Sequence, residues 1–133
     1  MADFRHRIRV RYNECDPQGH VFNANYLAYF DLAMTELWRE LGGYVAMRET
    51  GVDMVVAQAQ IYYYAALGFD DEADLIVRQI KLGNTSMTST LAIESAGETM
   101  AEGELRHVFV DLEQGETRPI PDSVRAGLAR YSS

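Results

Sequence analysis

The chain has 133 residues, 47% hydrophobic and 11% aromatic, with a net charge of −8, which is enough apolar material for a single domain over residues 1–133 without disulfides. Its lone cysteine, Cys15, excludes an internal disulfide framework or a zinc cluster built on several thiolates, and suits a reducing, cytoplasmic setting. The acidic balance argues against nucleic acid, whose phosphates need clustered Lys and Arg, and no apolar run reaches the roughly 20 residues that span a bilayer or forms a signal peptide.

From Phe4 to Tyr12 the residues alternate, with Phe4, His6, Ile8, Val10 and Tyr12 on one face and Arg5, Arg7, Arg9 and Arg11 on the other, which predicts a half-buried strand. The arginine row reads as a solvated or subunit-facing surface, or else as a patch for an anionic ligand such as a nucleotide tail. His6 reads as a core or interface histidine.

The next segment, Asp16-Pro17-Gln18-Gly19-His20-Val21-Phe22-Asn23, joins that strand to a helix. Asp16 precedes a proline and is biased to extended backbone, and Pro17 to Gly19 supply a turn. From Asn23 onward Leu27, Phe30, Met34, Leu37 and Leu41 recur at spacings of three and four, so one face is apolar for about five turns. Asn23 or Asn25 can cap its start, and Gly42 with Gly43 ends it. An acid and a helix N-terminus therefore converge, a pairing suited to attack on a carbonyl: the carboxylate of Asp16 can act as base or nucleophile, or else it caps the turn or pairs with an arginine. Free N–H groups around Phe22 and Asn23 hold the developing oxyanion.

Strands are predicted over Met54–Ala65, Asp74–Leu82, Met87–Ser95 and Thr99–Asp111. Turn chemistry at Leu67–Asp71, Gly83–Asn84 and Ala96–Glu98 predicts an antiparallel meander with the helix across its face. Of Tyr62, Tyr63 and Tyr64, one faces the opposite way from its neighbours, which favours sheet packing and leaves room for a role in shaping a pocket. A short helix over Asp122–Tyr131, capped by Asp122 or Ser123, closes the chain. The order of elements is that of an α+β domain.

Other chemistries are poorly supplied. Asp16 and His20 lack a second ligand pair, so no metal is expected. Cys15 reads as a small buried thiol. There is no Gly-rich phosphate loop and no Gly-x-Ser-x-Gly elbow.

The element order, with Asp16-Pro17-Gln18-Gly19-His20-Val21 followed by Asn23, Asn25, Tyr26 and Leu27, resembles the hot-dog-fold acyl-CoA thioesterases of the 4-hydroxybenzoyl-CoA thioesterase type, from Phe4 to about Pro121. The resemblance implies an antiparallel sheet wrapped around one long helix, Asp16 as the catalytic acid, and a backbone N–H near Asn23 on the thioester carbonyl. It implies sites completed at the interface of a homodimer, or of a dimer of dimers. His20, Gly19 and Tyr26 are then neighbours of the substrate, and Arg78 and Lys81 are expected near the coenzyme A tail, ahead of the Arg5 to Arg11 row. No cofactor is implied, because coenzyme A is part of the substrate; an acyl carrier protein can replace it as the thiol carrier. The same fold hosts acyl-thioester dehydratases or hydratases and non-catalytic acyl-CoA-binding modules.

Overall fold

The computed structural model describes residues 3–132, so the expected domain limits at 1 and 133 lie outside the described residues. Five strands, β1 (Phe4–Arg9), β2 (Val52–Tyr63), β3 (Glu72–Leu82), β4 (Ser86–Ser95) and β5 (Glu98–Asp111), form one antiparallel sheet in the order β1-β3-β4-β5-β2. From β3 to β5 the chain meanders as its turn residues predict. Between β4 and β5 two residues, Ala96 and Gly97, both take positive φ, the conformation a two-residue hairpin needs to match strand twist.

The segment Leu67–Asp71 departs from the expected meander. It does not fold β3 back beside β2: β2 pairs with β5, from Val52 opposite Asp111 to Tyr63 opposite Ala101, and the connection crosses to the other side of the sheet. Turn residues report that a chain reverses, whereas the strand it lands beside is set by long-range burial. Register shifts in β2, β3 and β5 are bulges that bend the sheet.

The bent sheet encloses α1 (Asn25–Glu40), which buries Tyr26, Tyr29, Phe30, Ala33, Met34, Leu37 and Trp38 among strand residues such as Leu75, Leu91, Leu105 and Phe109. This is the hot-dog arrangement. Phe30, Met34 and Leu37 are buried as expected, and the buried surface is wider than the expected stripe: Tyr26, Tyr29, Ala33 and Trp38 are inside as well, while Leu27 is exposed. Neither Asn23 nor Asn25 caps α1. Its N-cap residue is Ala24, with no side-chain cap, because Asn25 Nδ2 donates instead to the Glu14 carbonyl at 2.9 Å.

Gly42 and Gly43 end α1 as expected, with φ of +105° and +83°. They lead into α2 (Gly43–Arg48), too short for a periodic signal in the sequence. β1 stops at Arg9, and a 3-10 turn over Tyr12–Glu14 follows, which leaves Tyr12 exposed rather than on the apolar face. At the other end α3 (Asp122–Leu128) and a 3-10 turn over Ala129–Tyr131 replace the single expected helix, and Pro121, not Asp122 or Ser123, is the N-cap residue. Tyr131 packs edge-on against Phe4, tying this end to β1.

The arginine row of β1 is paired with its own sheet. Arg5 meets Asp74 and Glu94 at 3.5 and 3.4 Å, Arg7 meets Asp74 and Glu72 at 2.9 and 3.1 Å, and Arg9 meets Glu72 and Asp70. The Arg7 guanidinium accordingly holds the Asp74 carboxyl below its ordinary value. Exposed pairs of this kind stabilise a fold by about 1 kcal/mol at most. Their larger effect is to neutralise the row, which is no longer an open anion patch.

Candidate active site

Asp16 sits in a tight turn. Its N–H donates to the His20 carbonyl at 2.8 Å, its carbonyl accepts from Gly19 N–H at 2.9 Å, and its Oδ1 accepts from the Gln18 N–H at 2.9 Å. Gly19 has φ of +82°, a conformation that costs a residue with a Cβ. The turn is held from outside as well, since Val21 N–H donates to the Leu67 carbonyl at 2.8 Å and His20 bridges Gly68. With Oδ1 occupied by the turn, Oδ2 has no hydrogen bond and Asp16 has no cationic partner among the described residues. One carboxylate oxygen is fixed by the turn, and the other accepts no hydrogen bond among the described residues.

The helix start faces the same cleft, of about 510 Å³, lined by Asp16, His20, Phe22, Asn23, Tyr26 and Tyr63 among others. The N–H of Phe22 is unavailable as an oxyanion donor: it donates to the Glu14 carbonyl at 3.0 Å. This corrects the expectation at that position, and the reason is tertiary, since Glu14 lies on the 3-10 turn that the helix start packs against. The N–H groups of Asn23 and Ala24 donate to no group among the described residues. The open N–H groups thus begin one residue further along the chain than expected.

Gly19 and His20 are exposed beside the turn, and the buried Tyr26 directs its hydroxyl to accept from Leu67 N–H at 3.1 Å. Arg78 and Lys81 do not line this cleft. Arg78 pairs with Glu94 at 2.9 Å, while Lys81 lines a separate cleft on the sheet with Gln58, Gln60, Thr88, Glu104 and Arg106. Of the tyrosine triplet, Tyr63 reaches the helix start and Tyr62 accepts from Gln60, while Tyr64, beyond the end of β2, donates to Glu102 and also lines the cleft.

Residues 10–128 match the family model of the thioesterase-like superfamily. The chain is 31% identical over 125 residues to acyl-CoA thioester hydrolase YbgC of Escherichia coli, an alignment covering 92% of this chain and 93% of the relative. The chain belongs to the thioesterase-like superfamily. This thioesterase superposes on a gentisyl-coenzyme A thioesterase with a TM-score of 0.82 at 25% identity, over 91% of this chain and 98% of the other. It shares its fold with a 1,4-dihydroxy-2-naphthoyl-CoA thioesterase from Synechocystis, with a TM-score of 0.87 at 16% identity over 96% of each chain.

Around the turn, the thioesterase surrounds its lone cysteine with conditions that disfavour a thiolate. Desolvation and the carboxylates of Asp16 and Glu14 push the Cys15 thiol up, which weakens it as a nucleophile. Among the described residues no group of three or more His, Cys, Asp or Glu side chains is placed to hold a metal ion, and no helix is long and apolar enough to cross a membrane.

Two residues beyond those expected hold this region together. Glu14 receives the Tyr29 hydroxyl at 3.0 Å and, through its carbonyl, Asn25 and Phe22; nothing in the sequence marks it. Tyr63 is the other, and only strand alternation hinted at it.

His107 lies away from the cleft, buried in β5 with an unpartnered Nδ1. Burial pushes its pKa down from 6.5, against a smaller upward pull from Asp31. The unfolded chain therefore takes up a proton that the fold resists. The stability is fully present above the unfolded value of about 6.5 and declines as pH falls from there toward the folded value. Urea unfolding at about pH 7.5 and about pH 5.5 should show a larger loss for the wild type than for His107→Gln; equal losses would clear His107 as the source.

Proposed function

We propose that this chain hydrolyses an acyl-CoA thioester to the free acid and thiol, with Asp16 as nucleophile or general base and the Asn23 N–H polarising the thioester carbonyl. One observation carries the reading: a carboxylate oxygen without a partner and a backbone N–H without an acceptor line one cleft. A thioester asks for little more. Its leaving thiol has a pKa near 8.5, as cysteine does, and departs without strong acid assistance, so one carboxylate and one oxyanion donor suffice.

The relatives named for acyl-CoA hydrolysis support coenzyme A as the thiol carrier. An acyl-carrier-protein thioester presents the same reacting bonds. Of the two cations expected near the tail, Lys81 is better suited than Arg78, because no carboxylate is within ion-pair distance of it among the described residues. A reducing, cytoplasmic setting suits the single free thiol.

A homodimer is the working form in this reading. β2 is an edge strand with Val55, Val56, Tyr62 and Tyr63 all half-exposed, and a long apolar edge is a template for pairing with a second copy. Because Tyr63 lines the Asp16 cleft, a partner on β2 would stand beside the site and complete it.

A thiol-release screen over short, long, branched and aromatic acyl-CoAs tests the proposal. Release of free thiol from at least one class is expected. A change in double-bond absorbance without free thiol would overturn it in favour of a hydratase or dehydratase, and tight binding with neither signal in favour of a binding module.

A further inference from the structure

The two free N–H groups at the helix start belong to peptides whose other ends are held differently. The Asn23 N–H shares its peptide with the Phe22 carbonyl, which accepts from Asn25 N–H at 2.8 Å within the chain's own turn. The Ala24 N–H shares its peptide with the Asn23 carbonyl. That carbonyl accepts a long bond of 3.3 Å from Tyr26 N–H and one of 3.0 Å from the Tyr63 hydroxyl, which comes from a strand 40 residues away. A peptide is planar and its C=O and N–H point in opposite directions, so the hydroxyl that fixes the carbonyl of Asn23 also aims the N–H of Ala24.

Tyr63 is itself well placed for this. Its ring packs edge-on against Tyr26, with centroids 5.0 Å apart and an interplanar angle of 81°, and Tyr26 is buried. Four residues on, Leu67 binds Val21 and the Tyr26 hydroxyl, and Gly68 bridges His20. One run of chain, from Tyr63 to Gly68, thus holds both the Asp16 turn and the helix start. Since α1 has no side-chain cap, the first N–H groups of the helix stay open, while this external hydroxyl fixes a carbonyl of the same turn.

We propose that Tyr63 is a positioning residue for thioester hydrolysis, and that it aims the Ala24 N–H, beside that of Asn23, as the second donor to the carbonyl oxygen. The inference rests on the proposed role of Asp16 and the helix start. It predicts an effect in the transition state, where charge on the oxygen is greatest, rather than in ground-state binding.

The test compares the wild type, Tyr63→Phe, Tyr44→Phe and Asp16→Asn in full-length protein with an acyl-CoA that the wild type hydrolyses. Tyr63→Phe keeps the ring against Tyr26 and removes only the hydroxyl. Its kcat should fall by about 10-fold, with KM within about twofold, the melting temperature unmoved, and the backbone amide resonance of Ala24 shifted. Tyr44→Phe, on α2 against Trp38 and away from the cleft, should leave kcat unaltered. Normal kcat in Tyr63→Phe alongside an inactive Asp16→Asn overturns the positioning role and spares the proposed function, as does a loss confined to KM. Absence of thiol release by the wild type from every acyl-CoA tried overturns both.

Discussion

Asp16→Asn is expected to lower kcat for acyl-CoA hydrolysis by at least about 100-fold while leaving the fold intact. Asparagine has the shape of aspartate, and its side-chain oxygen can still accept from Gln18 N–H as Oδ1 does at 2.9 Å, so the turn survives. What is lost is the charge on the free oxygen, and with it the capacity to attack a carbonyl or take a proton from water. Thiol release with matched unfolding curves checks the expectation; near-normal turnover would remove Asp16 from the mechanism. In the nucleophilic path Oδ2 bonds to the carbonyl carbon and the carbon–sulfur bond breaks, leaving an anhydride. Water that splits this anhydride at the aspartyl carbon leaves its oxygen in the enzyme. In the general-base path the water oxygen goes only to the product acid. A single turnover in heavy-oxygen water separates the two by the mass of the Asp16 peptide.

The largest effect on stability is expected at Gly103, in the middle of β5 opposite Ile61 and Leu91. A Cβ added there would lie 2.1 Å from the Gln60 carbonyl oxygen and 2.7 Å from Phe30 Cε2. Neither neighbour can yield cheaply: one is strand backbone, and the other is a ring of α1 with no exposure in an interior packed like a crystal. Gly103→Ala should cost about 3 kcal/mol, at the upper end of ordinary overpacking, and lower the melting temperature by roughly 10 °C. A melting temperature within about 2 °C of the wild type would show that β2 moves freely. Because relief of the clash displaces β2 or α1, the variant should also loosen the bond between Tyr63 and Asn23.

Much of the architecture was legible in the residues. Alternation marked β1, turn residues marked the breaks between the later strands, three-and-four spacing marked α1, and Pro17 with Gly19 marked the turn that presents Asp16. These signals are local: they depend on backbone sterics and on which face of an element is apolar, and both act within a few residues. At the first turn of α1 that local signal ran out, because Tyr26 and Leu27 are both apolar enough to be buried, and only the packed sheet chooses between them.

The rest depended on distant partners. Glu14 occupied the N–H of Phe22 and moved the candidate donors to Asn23 and Ala24. Carboxylates of β3 and β4 neutralised the arginines of β1. Pairing of β2 with β5 brought Tyr63 to the helix start. The residues alone thus carried the α+β class, the turn that presents Asp16 and the helix that follows it, since each follows from the chemistry of neighbours along the chain. Which groups at that site are still free to react was settled by folding, because a hydrogen-bonding group is spent by whatever partner lies nearest in space, and that partner can be any number of residues away.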